Sequence, residues 1–238
     1  MLRLENLSCG YGPMRAVEQL TLDVAPGSVA ALLGANGAGK SSTIMCIAGH
    51  VAVHGGTVAF DGEDLAPLSP MARVKVGIGL VPEGRRLFGS LSVRENLIVG
   101  GYCRRRTTPE TLDDVLDIFP RLGERLGQLA GSLSGGEQQM LAIARALMSR
   151  PRLLLVDELS LGLMPRAIDD CYAALETLKA RGMGILLVEQ STPRALAVAD
   201  SVTVLESGRT VWRGDAQEAR RSTDLIDACL GFDVAPDE

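Results

Sequence analysis

Residues 34–41 read Gly34-Ala35-Asn36-Gly37-Ala38-Gly39-Lys40-Ser41 and fit the spacing GxxxxGK[ST]. Glycines at these places let a tight loop turn its N–H groups inward on an anion. An apolar run without alternation, residues 29–33 (VAALL), comes before the loop, and the helix-like TIMCIAGH comes after it. That strand-to-helix setting is what a phosphate site requires, because the helix N-terminus adds its dipole to the loop amides. In this pattern Lys40 reaches β- and γ-phosphates and Ser41 holds Mg²⁺. A second segment, LLLVDE at 153–158, puts Asp157 at the C-terminal end of an apolar run, where parallel sheets present ligands. Asp157 is expected to hold Mg²⁺ through water, and Glu158 to polarise a hydrolytic water. A solvated strand end would look the same by itself. Beside a phosphate loop, the pair points to phosphoryl chemistry.

The elements that must carry these groups follow from periodicity. Residues 2–7 and 20–24 alternate as half-buried strands do, with a turn region CGYGPM between them. Residues 29–33 are an apolar run without alternation, as expected of a strand buried on both faces; 153–156 and 184–188 read as further buried strands, and 76–81 as another strand stopped by Pro82. Residues 56–61 form a strand ending in an Asp61-Gly62 turn, and VTVLESGRTVWRG forms a hairpin turning at Ser207-Gly208. Ser69 before Pro70 starts a short helix. Ser92 with Glu95 forms a capping box. Pro109 opens a helix with an apolar face at Leu112, Val115, Leu116 and Phe119. A helix over 166–182 takes Gly182 as its C-cap, and TDLIDACLG forms a last helix. Buried strands alternating with helices imply an α/β fold with a mostly parallel sheet covered on both sides. Residues 90–150 read as a helical insert, with about 1–89 and 151–232 making the core of a single domain.

Composition sets the outer bounds. The 238 residues are 46% hydrophobic and 22% charged, which excludes a disordered chain or a fibre. A net charge of −5 gives no basic face for nucleic acid. No run approaches the ~20 apolar residues of a membrane helix, and the start MLRLENLSCGYG has no signal-peptide pattern. Five scattered cysteines with no CxxC pair suggest neither a zinc site nor a disulfide framework. His50 and His54 lack further ligand partners, which favours a surface or loop role over metal.

Leu133-Ser134-Gly135-Gly136-Glu137-Gln138-Gln139 resembles the signature sequence of ABC-type ATPases. Ser134 and two glycines at a helix start form a second anion-binding end. A second phosphate site in one chain makes sense if it closes over nucleotide held by another subunit. An ordinary Ser-Gly turn capping the helix EQQMLAIARALM is the plainer alternative. The resemblance covers residues 1 to about 232. It implies a P-loop NTPase fold with a RecA-like core, an antiparallel β subdomain and an inserted helical subdomain. It also implies ATP and Mg²⁺, with Tyr11 stacking on adenine and Ser42 keeping the hydroxyl of a common Thr. Asn96 and Leu97 fall in the region that resembles the transporter-facing surface.

Finer details resemble the second, LivF-type ATPase of the high-affinity branched-chain amino acid importer. They are GIGLVPEGRRLFGSLSVRENL at 77–97, LLLVDELSLGLMP at 153–165 and LLVEQ at 186–190. Glu83 stands where most of the family has Gln, and Gln190 where a switch His contacts the γ-phosphate. Leu163 stands where the D-loop Asp is usual, and Leu159 where Pro usually follows Asp-Glu. The resemblance gives Glu158, Lys40, Gln190 and Glu83 catalytic places, with Glu83 also a possible metal contact. It implies a sister ATPase or a second copy, two transmembrane permease subunits, an extracytoplasmic solute-binding protein acting indirectly, and a peripheral place on the cytoplasmic face of the inner membrane. Urea or short-amide importers are the nearest alternative. A non-transport ABC protein and a poorly hydrolysing structural subunit stand further off.

Overall fold

The computed structural model describes residues 1–103 and 109–221. Its architecture follows from period-two burial in the central strands. In β3 (Val29–Gly34) every residue is buried. Val29, Ala31 and Leu33 enter one core, while Ala30 and Leu32 enter another. The same split runs through β7 (Leu153–Asp157), with Leu154 and Val156 on one side and Leu153 and Leu155 on the other. It recurs in β8 (Gly184–Glu189) with Ile185 and Leu187 against Leu186 and Val188. A strand that buries both faces needs a layer on each side. Each such Leu, Ile or Val contributes roughly 1.5–3 kcal/mol of transfer free energy.

The parallel strands belong to a six-stranded sheet, which also contains β6 (Ile78–Val81), β9 (Ser201–Glu206) and β10 (Arg209–Asp215). Its order is β10-β9-β3-β8-β7-β6, with only β10 antiparallel. One face is covered by α1 (Lys40–Ile47) and by a second sheet. That sheet holds β1 (Leu2–Tyr11), β2 (Met14–Val24), β4 (Ala52–Phe60) and β5 (Glu63–Asp64) in the order β2-β1-β4-β5, antiparallel throughout. The other face is covered by α6 (Gly135–Leu147) and α7 (Pro165–Ala180). Against α6 pack α3 (Val93–Gly100), α4 (Pro109–Ile118) and α5 (Pro120–Gly123). The short helices α2 (Pro70–Val76), α8 (Thr192–Val198) and α9 (Ala216–Arg221) and a 3-10 turn at Ala130–Ser132 complete the described elements.

Local signals hold where they are chemical. Ser69 accepts from Ala72 N ahead of α2, and Ser92 and Glu95 form both halves of a capping box. Ser207 and Gly208 both take positive φ at the β9–β10 turn, as a two-residue hairpin turn prefers. Other expectations need correction. β1 and β2 run on to Tyr11 and back to Met14, so the CGYGPM turn shrinks to Gly12-Pro13. Register shifts between Leu4 and Cys9, with positive φ at Asn6 and Gln19, break the alternation that would have revealed the full strands. The strand expected at 56–61 begins at Ala52 and takes in His54. The helix expected from residue 43 begins at Lys40. α7 has Arg181 at its C-cap, and Gly182 follows it with φ 88°. Asn96 and Leu97 are fully buried, so the outward side of α3 is carried by Ile98 and Val99 instead. The TDLIDACLG helix lies outside the described residues. Among the described residues no helix is long and apolar enough to cross a membrane, and the four cysteines are free.

Candidate active site

The C-terminal ends of β3, β7 and β8 meet at a cavity of about 490 Å³. It is lined by residues including Asn36, Gly37, Gly39, Lys40, Ser41, Ser42, Glu83, Glu158 and Gln190. β3 delivers the phosphate loop. Gly39, the N-cap of α1, has φ 104° and no side chain to cap the helix, so the first-turn amides stay available to an anion. A Cβ at Gly39 would lie 2.7 Å from both Ala16 O and Val17 Cγ2, so only glycine fits. Lys40 opens α1 and folds back over the loop, donating from Nζ to Gly34 O at 2.8 Å and Ala35 O at 3.1 Å.

β7 supplies the carboxylates. Ser41 Oγ donates to Asp157 Oδ1 at 3.2 Å. Burial pushes the Asp157 carboxyl up to about 6; Ser41's hydrogen bond and Lys40 oppose this, while Glu158 and Glu83 add to it. Burial lowers the Lys40 ammonium, against the pull of Glu158, Asp157, Glu189 and Glu83. Ser41, Asp157 and the nearby Glu83 offer oxygen donors with one or two carboxylates, a set that fits Mg²⁺ shared with a phosphate. Glu158 takes φ 49°, an uncommon conformation for a side-chain-bearing residue. Its Oε1 lies 4.0 Å from Lys40 Nζ.

β8 ends beside both. Gln190 Nε2 donates to Glu158 Oε1 at 2.7 Å and to Asn36 Oδ1 at 2.6 Å. One amide therefore spans the phosphate loop and the carboxylate. The arrangement can bind a polyphosphate, hold a hard cation and orient a water next to the terminal phosphate.

A family model described as ABC transporter matches residues 17–160. The chain belongs to that family. It shares 43% identity over 97% of its length and 100% of the relative's with a protein from Pseudomonas aeruginosa, "High-affinity branched-chain amino acid transport ATP-binding protein BraG". It shares 32% identity over 98% of both chains with "Lipopolysaccharide export system ATP-binding protein LptB" of Escherichia coli strain K12. A solved nucleotide-free ATP-binding cassette from an ABC transporter superposes with a TM-score of 0.88 at 25% identity, covering 99% of each chain. The fold is thus that of ABC ATPases, a P-loop NTPase with RecA-like core, β subdomain and helical insertion. The activity of this ABC ATPase is binding and hydrolysis of ATP.

Other expected site residues of this ABC ATPase lie apart from the cavity. Tyr11 ends β1, half exposed, and is not among the lining residues. Ser134, Gly135 and Gly136 start α6 and do not line the cavity either. Ser134 accepts from Glu137 N at 3.3 Å and donates to Glu137 Oε2 at 2.7 Å, so the helix-capping reading holds as geometry. A methyl at Gly136 would collide with Ala167 Cβ of α7. Leu159 is fully buried in the core that Leu163 packs against.

Ala16 and Leu161, which line the cavity, were not singled out from sequence. In the Glu83-Gly84-Arg85-Arg86 run, which reads from sequence as favouring amino acid cargo, Gly84, Arg85 and Arg86 all take positive φ. Arg145 of α6 braces that turn, donating to Arg86 O at 2.8 Å and Arg85 O at 3.1 Å. The three consecutive left-handed residues have a signal only in Gly84, and Arg145 has none.

Proposed function

We propose that this ABC ATPase powers import of branched-chain amino acids through partner membrane subunits. The reading is carried by the convergence of Lys40, Ser41, Glu158 and Gln190 on one cavity, with the buried Asp157 hydrogen-bonded to Ser41 behind it. We assign the loop amides of Gly34 to Gly39 and the start of α1 to the triphosphate. Lys40 exchanges its two loop carbonyls for β- and γ-phosphate oxygens. Ser41 and Asp157 would hold Mg²⁺, with Glu83 beside them, and the cation would supply charge neutralisation at the phosphate oxygens. It also favours the ionised form of the Asp157 carboxyl, which burial alone disfavours. Glu158 takes a proton from the attacking water, and Gln190 gives up Asn36 to donate to a γ-phosphate oxygen while keeping its bond to Glu158. A glutamine donates as a histidine would but carries no proton.

Ser134, Gly135 and Gly136 grip the nucleotide of a second ATPase, either a sister subunit or another copy of this chain. Tyr11 stacks on adenine. The chain is one ATPase unit, with a core of about 1–89 and 151–232 and a helical insert of about 90–150. It acts at the cytoplasmic face of the plasma membrane with two permease subunits, downstream of a solute-binding protein. The BraG relative supports the cargo. The relative named for lipopolysaccharide export supports a wider reading, in which the motor is shared and the cargo differs. Leucine, isoleucine and valine uptake in vesicles, with and without this chain, separates the two. For the chemistry, Glu158→Gln lowers Mg²⁺-dependent ATP turnover at least about tenfold; equal turnover in wild type and variant rejects the assignment of Glu158.

A further inference from the structure

Glu189 ends β8 and is 2% exposed, yet the hydrolytic set above does not use it. Four donors meet its carboxylate. Oε1 accepts from Ser160 N at 3.0 Å and Tyr172 Oη at 3.2 Å. Oε2 accepts from Ser160 Oγ at 3.0 Å and from the backbone N of Gln190 at 3.3 Å. A buried carboxylate is costly even when satisfied, and an apolar residue of similar volume often serves stability as well or better. What this carboxylate achieves is connection. Its donors come from the turn after β7, from α7 and from the residue that follows β8.

Those segments carry both ends of the Gln190–Glu158 hydrogen bond. Ser160 stands two residues after Glu158, and Glu158 N donates to Val188 O at 3.0 Å, next to Glu189 itself. Glu158 holds φ 49°, and an uncommon backbone conformation persists only where its surroundings over-determine it. The two bonds from Ser160 to Glu189 are part of that constraint. We propose that Glu189 is a positioning residue for ATP hydrolysis, clamping the Ser160 turn to the Gln190 backbone so that Glu158 faces the phosphate loop. The proposal rests on the reading of Glu158 as the group that polarises water.

The test uses the full chain. Glu189→Gln keeps the shape but turns an amide N–H₂ toward groups that are themselves donors. It lowers kcat about tenfold or more and leaves KM for ATP within about twofold, because the phosphate loop does not touch this carboxylate. Ser160→Ala and Tyr172→Phe each lower kcat about two- to fivefold with the same unmoved KM, and Ser160→Ala adds less than its full factor on top of Glu189→Gln. A folded Glu189→Gln protein with wild-type kcat overturns the proposal, as does a loss that thermal melting traces wholly to unfolded protein. If Glu189→Gln does not fold, unchanged kcat in both Ser160→Ala and Tyr172→Phe overturns it. Glu158→Gln is measured alongside. Full turnover there removes the reading beneath the proposal, whereas loss there with intact Glu189→Gln turnover overturns the clamp alone.

Discussion

Replacing Gln190 by alanine removes a side chain that hydrogen-bonds both the phosphate loop and Glu158, the proposed hydrolytic carboxylate. Its Nε2 donates at 2.6 Å to Asn36 and at 2.7 Å to Glu158, which uses both protons of the amide. A hydrogen bond to a charged group is worth about 1.5–3 kcal/mol. Each 1.36 kcal/mol on a barrier is about tenfold in rate. If the bond to Glu158 persists into the transition state, Gln190→Ala lowers kcat about 10- to 100-fold. KM for ATP moves by less than about threefold, since the loop amides remain. Gln190→His offers one ring N–H at the same place, enough for one of the two bonds, and falls between wild type and alanine. The assay is phosphate release over a range of ATP at fixed Mg²⁺, with folded fraction matched by circular dichroism. The Glu158→Gln, Gln190→Ala double variant is the decisive member. If Gln190 acts through Glu158, the double variant is no more than about twofold slower than Glu158→Gln. Wild-type kcat in Gln190→Ala, or losses that multiply in full, would refute the reasoning.

Two further predictions concern stability. Arg73 is 3% exposed and donates to Cys46 O, Ile47 O and Leu68 O at 2.6–3.0 Å, capping the C-terminus of α1. Arg73→Ala strands those carbonyls and costs about 3 kcal/mol, read as a lower midpoint in urea; an unchanged midpoint would reject the capping role. Glu137 is held at about 2, below its ordinary 4.5, chiefly by the hydrogen bond from Arg125 and then by those from Ser134. A depressed carboxyl stabilises above its unfolded value and loses that stability as pH falls from about 4.5 toward 2. The full difference is at most ~3 kcal/mol, and solvent around the open Arg125 trims it to ~1–2 kcal/mol. Glu137→Gln therefore flattens the acid limb of the stability curve, and a limb identical to wild type rules this out.

The parts of the site that sequence reveals are those whose chemistry is local. Glycine spacing fixes the phosphate loop because the turn, the amides and the helix start lie within eight residues. Asp157 and Glu158 are legible because a buried strand must end somewhere, and its last polar residues face the ligand side. Arg145, Glu189 and Tyr172 are hidden for the opposite reason. Arg145 meets the Glu83 loop across about 60 residues, and Glu189 meets Ser160 across 29. Nothing in their own neighbourhoods distinguishes them from a surface arginine or a strand-end glutamate. The β subdomain is blurred by bulges, which put two residues against one and cancel the alternation a strand is read from.

The two readings of Ser134, the cap that the structure holds and the proposed grip on a second nucleotide, are compatible. As a cap, its hydroxyl donates to Glu137 Oε2 and accepts from Glu137 N, which fixes the first turn of α6. Glu137 does not depend on that hydroxyl alone, since Arg125 Nε donates to Glu137 Oε1 at 2.7 Å and Ser134 N donates to Oε2 at 2.9 Å. In the proposed dimer the serine proton can therefore turn to a γ-phosphate oxygen of the facing subunit's nucleotide without stranding the carboxylate. The Cβ-free Gly136, pressed on Ala167, then ties the α6 start to α7 and so to Tyr172. Tyr172 in turn reaches Glu189, behind the chain's own hydrolytic carboxylate. The proposed grip on one nucleotide would thus be joined to the setting of the other through packed backbone and the Tyr172–Glu189 hydrogen bond.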